Sequence, residues 1–241
     1  MNAIEVKGLT KNFKEVRALN GVTLSVAEGE LFGLLGENGA GKTTLIRILS
    51  GLVKADGGSA RIFGRDIEEN RMAVNKTIGV SPQETAVAPN LTVEENLKFF
   101  ADIYGVNDGE CLKQIVEDFK LESVLTRRVK TLSGGWQRRL SIAVALVTKP
   151  KLLFLDEPTL GLDVMARREL WEEIKRLKGK VTIVLTSHYL EEIEALCEKV
   201  CIMAKGNILA RGTTEEIKRA AGEEKFEEAF VKIVLNGEVV S

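Results

Sequence analysis

The run Gly36-Glu37-Asn38-Gly39-Ala40-Gly41-Lys42-Thr43 sets three glycines beside a lysine and a hydroxyl, and Thr44 follows directly. Glycine has no Cβ, so such a loop can wrap closely and point its N–H groups at the oxygens of an anion. Lys42 at its end spans the outer phosphates of a nucleoside triphosphate, and the Thr43 hydroxyl is a ligand for Mg2+. The run fits the GxxxxGK[ST] pattern. Its setting fits too, because the apolar stretch ending at Leu35 reads as a strand. Leu45, Ile48 and Leu49 then recur at helical spacing until Gly51 closes the segment. A phosphate held there also meets the positive end of the helix dipole. The competing reading is a glycine-rich turn that only caps a helix, which leaves the lysine and the threonine unexplained.

A second group of residues carries acid–base chemistry. Leu152-Leu-Phe-Leu-Asp156-Glu157 places two carboxyls where four consecutive apolar residues end, at the carboxyl end of a buried strand. That is where ligands of α/β sheets gather. Asp156 would hold Mg2+ or its bound water, and Glu157 would accept a proton from a water attacking the γ-phosphate. Taken alone, the pair could also be a solvated strand end. Leu132-Ser133-Gly134-Gly135 stands before another helical stretch and offers backbone amides and a hydroxyl to an anion, or forms a plain N-cap.

These groups need a scaffold that brings strand ends together. From Ala3 to Leu35 short alternating stretches such as Val22 to Val26 predict a strand-rich opening. Residues 92–147 predict consecutive helices, over Val93 to Tyr104, over Gly109 to Phe119 and from near Gly135 onward, which is the pattern of an inserted helical subdomain. Beyond it, apolar runs at Leu152 to Leu155, Val181 to Leu185 and Val200 to Met203 alternate with helical segments at Val164 to Leu177 and Tyr189 to Glu198. Such alternation predicts a parallel sheet covered on both faces. The tail from Phe226 to Leu235 is compatible with a helix or a strand.

Composition narrows the partners. With 34 basic and 35 acidic side chains the net charge is -1, so no basic excess argues for nucleic acid. The longest apolar run, Ile142 to Val147, is six residues, whereas a membrane-spanning helix needs roughly 20. The start of the chain carries neither a basic nor an apolar leader segment, and a cytoplasmic protein is expected. Cys111, Cys197 and Cys201 are expected to be buried thiols, although Cys197 and Cys201, four apart, could face each other on a helix.

Ser133 stands 97 residues after Gly36, and Leu152 stands 19 after Ser133. A P-loop, then Leu-Ser-Gly-Gly, then Leu-Leu-Phe-Leu-Asp-Glu-Pro in that order resembles the nucleotide-binding subunit of ABC transporters, and the likeness covers nearly the whole chain. The resemblance implies an α/β P-loop NTPase with a mostly parallel RecA-like sheet, an antiparallel N-terminal β-subdomain and an inserted α-helical subdomain. It divides the chain into a core of residues 1–83 and 150–220, a helical signature region of 84–149 and a C-terminal extension of 221–241. It implies hydrolysis of ATP with Mg2+, a separate transmembrane permease and a second ATPase subunit, most simply an identical chain. The subunit would lie on the inner face of the membrane, held through that permease.

By the same resemblance Phe13, 29 positions before Lys42, matches an adenine-stacking aromatic. Gln83 matches a glutamine that reaches Mg2+ and the attacking water, and His188, the single histidine, matches a γ-phosphate-sensing switch. Asp163 in Leu160-Gly-Leu-Asp163 matches a loop at the dimer interface, where Ser133, Gly134 and Gly135 of one subunit would meet the nucleotide on the P-loop of the other. Without the resemblance these four are a core phenylalanine, a turn glutamine, a structural histidine and a helix cap. One departure stands out. The position after Ser-Gly-Gly is usually Gln and here is Trp136, which could stack near the nucleotide or pack under the helix. Segments such as Pro89 to Leu97 and Arg211-Gly-Thr look most like the branch that powers drug, ion or haem-related exporters. Soluble relatives in translation or DNA maintenance carry two cassettes or a long coiled-coil insertion, and neither is present here.

Overall fold

The computed structural model describes residues 1–237. In chain order, β1 (Asn2–Phe13) and β2 (Val16–Ala27) lead into β3 (Leu31–Leu35) and α1 (Lys42–Leu49). Next come β4 (Gly57–Ile62), β5 (Arg65–Asp66), α2 (Arg71–Asn75) and β6 (Ile78–Ser81). A helical stretch follows, with α3 (Val93–Tyr104), α4 (Gly109–Asp118), two 3-10 turns and α5 (Gly134–Leu146). The chain then alternates through β7 (Leu152–Asp156), α6 (Val164–Leu177), β8 (Thr182–Ser187) and α7 (Leu190–Leu196). It closes on β9 (Lys199–Ala204), β10 (Asn207–Gly212), α8 (Thr214–Ala221) and α9 (Phe226–Asn236).

Two sheets result. The first is antiparallel, in the order β2-β1-β4-β5. The second has the order β10-β9-β3-β8-β7-β6, with every pairing parallel except that of β9 with β10. Every residue of β3, β7 and β8 is buried, as a parallel sheet clothed on both faces requires. The side-chain alternation of a strand then sorts those residues into two cores. Leu31, Leu35, Leu153, Leu155, Ile183 and Leu185 pack with α3, α5 and α6. Phe32, Leu34, Leu152, Phe154 and Val184 pack with α1 and the antiparallel sheet.

Local chemistry sets the helix ends. Thr92 and Glu95 form a reciprocal capping box that starts α3, and Gly105, at φ 68°, stops it. Asp163 caps α6 by accepting the Ala166 N–H. The tail that was compatible with either period is a helix, with Phe226, Ala229 and Ile233 facing the core. Residues 238–241 of the expected extension lie outside the described residues.

The cysteines need correcting. Helix α7 stops at Leu196, Cys197 is extended at ψ 139°, and Cys201 sits within β9, so the two share no helix face. Only Cys201 is fully buried, its thiol pushed up to about 12 by desolvation; Cys111 is partly exposed.

The parallel register carries the consequence for function. Leu35 pairs with Ser187, Asp156 with Thr186, and Ser81 with Leu155. The loops leaving β3, β7, β8 and β6 therefore begin at one edge of one sheet, carrying Gly36–Thr43, Glu157, His188 and Gln83 respectively.

Candidate active site

The loop after β3 can be built only from glycine at two points. A Cβ on Gly36 would stand 2.3 Å from the Met203 carbonyl oxygen, and one on Gly41, at φ 107°, 2.6 Å from that of Ala18. Gly41 begins α1 without a side-chain cap, and the helix ladder starts with the Leu45 N–H bonding the Gly41 carbonyl. The amides of Lys42, Thr43 and Thr44 are consequently the unpaired first-turn donors that suit an anion. Glu37, Asn38 and Gly39 form the exposed rim of the loop and Ala40 its buried base.

Lys42 folds back over this loop. Its Nζ donates to the carbonyls of Gly36 at 2.7 Å and Glu37 at 3.2 Å, and lies 3.6 Å from Glu157 Oε1. Burial holds its pKa below the usual lysine value, against the pull of the Glu157 and Asp156 charges. The buried ammonium gives an incoming phosphate a cation at the loop, while the two carboxylates leave the cluster net negative and so favour a divalent cation beside it.

Both acids lie where the strand pattern put them, Asp156 4% and Glu157 6% exposed. Asp156 Oδ1 accepts from the Thr43 hydroxyl at 3.1 Å and the Thr186 hydroxyl at 2.6 Å. Glu157 has a left-handed backbone, φ 47°, and its N–H donates to Thr186 Oγ1 at 2.9 Å. Its Oε2 lies 3.3 Å from His188 Nδ1, a close approach without the alignment of a hydrogen bond. The ring of His188 in turn packs on Tyr189, centroids 4.1 Å apart. Gln83 is exposed and lines, with Thr43 and Asp156, a cleft of about 400 Å3.

The hydroxyl of Thr43, the carboxylate of Asp156 and the amide of Gln83 are all hard oxygen donors around one cleft, the donor class that suits Mg2+. The glycine-bounded loop with its free amides suits the phosphates. The residues fit Mg-ATP on both counts.

Other expected residues stand apart from this centre. Phe13 is 45% exposed at the end of the β1–β2 hairpin, whose β2 arm touches Gly41 through Ala18. Ser133 and Gly134 are exposed at the start of α5, where the Ser133 hydroxyl makes no cap bond. Nearest to Cβ positions on Gly134 and Gly135 are Leu162 and Ala166, so the signature rests beside the Asp163 loop. Asp163 itself uses Oδ1 as a helix cap. Trp136 packs partly buried against the helical core, with the Arg139 guanidinium 4.6 Å from its ring centroid.

Three contributors escaped the sequence reading. Thr186 ties Asp156 to the Glu157 backbone. Buried Glu192 accepts from Thr159 at 2.8 Å and Trp171 at 3.1 Å, which fixes the chain just after Glu157. Arg138, 5% exposed, reaches across from α5 to the loops after β6 and β7. The only hint of the last was a charged pair inside the apolar stretch of α5, where Arg138 and Arg139 interrupt the core-facing pattern.

A family model described as ABC transporter matches residues 19–160, more than half of the chain. Among curated relatives, the daunorubicin/doxorubicin resistance ATP-binding protein DrrA of Streptomyces peucetius is 40% identical over 224 residues, 91% of this chain and 68% of that protein. The Nod factor export ATP-binding protein I of Paraburkholderia xenovorans (strain LB400) is 42% identical over 215 residues, 87% of this chain and 70% of that one. Among solved structures, an ATP binding subunit of an ABC transporter superposes with a TM-score of 0.85 at 31% identity, covering 96% of this chain and 99% of that one. A dimeric post-hydrolysis state of an ATP-binding cassette bound to ADP and Pi superposes at 0.78 and 26% identity, covering 87% of this chain and 98% of the other.

Proposed function

The chain belongs to the ABC transporter family as an ATP-binding, ATP-hydrolysing subunit, and on that premise we propose that Lys42, Thr43, Gln83, Asp156, Glu157 and His188 make up its Mg-ATP hydrolysis centre. The observation that carries this is the convergence of Glu157 with Lys42 on one carboxylate oxygen and His188 on the other, beside the Thr43–Asp156 pair. In this reading the free amides of the P-loop and Lys42 hold the phosphates, Phe13 stacks on the base, and Thr43, Asp156 and Gln83 hold Mg2+. The metal, when bound, neutralises charge on the phosphate oxygens. Glu157 accepts the proton of the attacking water, whose position Gln83 and His188 fix.

Two further parts complete the proposal. The exposed Ser133 and Gly134, with Gly135, meet the nucleotide of a second copy, so that two chains close head to tail over two ATP molecules. A dimeric state among the structures this fold superposes on supports that arrangement. The work is delivered to a separate permease. No described helix is long and apolar enough to cross a membrane. A cleft of about 690 Å3 lined by Phe100, Tyr104, Val106 and Val144, between the helical region of residues 84–149 and the core, suits an amphipathic permease segment. Phe99 and Ile103, half exposed nearby, extend that apolar rim. The relatives named for drug resistance and for Nod factor export support an exporter. In this reading the permease holds the subunit on the inner membrane face.

The test is Glu157→Gln, which keeps the shape and removes the base. Turnover should fall roughly 100- to 10,000-fold with ATP affinity retained. Unchanged turnover would remove Glu157 from the proposed role.

A further inference from the structure

The backbone of Glu157 is held in a conformation it would not choose. A non-glycine residue at φ 47° is in the left-handed region, where the Cβ crowds the chain and strain is stored. Such a geometry persists only when its surroundings over-determine it. On the N–H side the restraint is Thr186, whose hydroxyl and carbonyl accept at 2.9 and 3.2 Å. On the carbonyl side the Leu160 N–H donates within the same turn at 3.2 Å, and Arg138 donates from another element, its Nη2 reaching the Glu157 oxygen at 3.0 Å.

Arg138 does more than this. Its Nη2 also donates to the Gln83 carbonyl at 2.9 Å, and its Nη1 donates to that of Pro82 at 2.7 Å. One planar guanidinium from α5 therefore holds three backbone oxygens on two loops, the one carrying Gln83 and the one carrying Glu157. Bonds from a charged donor are stronger than those between neutral groups, and the fork geometry is one a lysine cannot copy. Among the described residues no carboxylate oxygen bonds this guanidinium. Asp156, Glu157 and Glu192 act on it only through space, and burial holds its pKa below the usual arginine value. A buried cation held by carbonyls in place of a counter-ion pays desolvation that only its geometry repays.

We infer that Arg138 is a positioning residue for hydrolysis, a rigid link through which α5 sets the Glu157 carboxylate and the Gln83 loop together. The inference rests on the assignment of Glu157 as the base. Movement of α5, which begins at the signature residues Ser133 to Gly135, is passed to the hydrolytic carboxylate through this one side chain. Closure over nucleotide and alignment of the base become a single event.

The experiment is a double-mutant cycle on the intact chain, reading kcat, KM for ATP and the melting transition for Arg138→Lys, Glu157→Gln and the two combined. Arg138→Lys keeps the charge and loses the fork. It should lower kcat roughly 10- to 100-fold, as a small misplacement of a reacting group does, with KM within about twofold. In the Glu157→Gln background the same change should cost less than about threefold, because there is no base left to misalign. Arg138→Gln, which loses the charge and keeps one donor nitrogen, should fall below Arg138→Lys or match it. Full turnover in Arg138→Lys overturns the inference, as do losses that multiply in the double variant, a raised KM at unchanged kcat, or a loss of activity that only tracks loss of folded protein. A failure of the underlying reading looks different, since Glu157→Gln alone would then retain its turnover.

Discussion

Lys42 shows how much of the site depends on single side chains. Its ammonium is 4% exposed and spans the loop carbonyls of Gly36 and Glu37 and the Glu157 carboxylate. Lys42→Ala removes the only cation that the P-loop brings to the phosphates and strands Glu157 without its nearest positive neighbour. ATP affinity should fall by an order of magnitude or more, the loss of about 1.4 kcal/mol or more, read by titration with a fluorescent ATP analogue. Normal affinity would count against the P-loop assignment. At this scale the sequence was legible wherever residue type and local spacing carry the chemistry: Gly36, Gly41, Lys42, Thr43, Asp156 and Glu157 all lie where the reading put them. It was silent on Thr186, Glu192 and Arg138, because each acts on a loop 19 to 56 positions away, through hydrogen bonds that no local pattern records. For Trp136 the choice was open, and its partial burial against the helical core, with the Arg139 guanidinium over its ring, favours packing.

Among the elements, the junction of α5 and α6 has the most unusual electrostatics. Glu173 of α6 is 2% exposed, and its nearest partner is Arg139 of α5 at 3.4 Å, with Glu169 sharing the same guanidinium. Arg139 and, more remotely, Lys120 and Arg176 favour its charge and Glu169 opposes it, but desolvation dominates and pushes the carboxyl from 4.5 to about 7. An acid whose folded pKa is raised binds its proton more tightly in the folded state. Its contribution is fully present below about 4.5 and is lost as pH climbs through about 7. Glu173→Gln mimics the protonated form at every pH. The variant should match the wild type in stability at pH 4 and exceed it at pH 8, by on the order of 1–3 kcal/mol, in urea melts at the two values. Equal differences at both pH values would show that Glu173 is charged throughout. Element types were largely readable from periodicity, with α3 and α6 running over the expected spans. The tail was not readable, because a short apolar segment satisfies both periods and only its docking against the core selects the helix.

For the whole molecule the question is whether the signature completes a site in its own chain or in another. Ser133 stands on an exposed helix start with no cap bond, and the neighbouring Gly134 and Gly135 face Leu162 and Ala166, whereas the P-loop borders Ala18 and Met203. A head-to-tail pair with two-fold symmetry puts each signature over the other chain's P-loop and makes two equal sites. Mixing two damaged chains tests this directly. Lys42→Ala spoils a P-loop but leaves its signature, while Ser133→Arg spoils a signature but leaves its P-loop, and each homodimer lacks any complete site. A heterodimer holds one complete site, with the Ser133→Arg chain supplying Lys42 and the Lys42→Ala chain supplying Ser133. Each variant alone should therefore lose turnover by about 100-fold or more, and mixing them should recover a readily measured fraction of wild-type activity. Recovery should rise with total protein concentration, as pairing does. If the mixture stays as inactive as its components while both variants remain folded, each chain works with its own signature or not at all, and the head-to-tail arrangement is wrong.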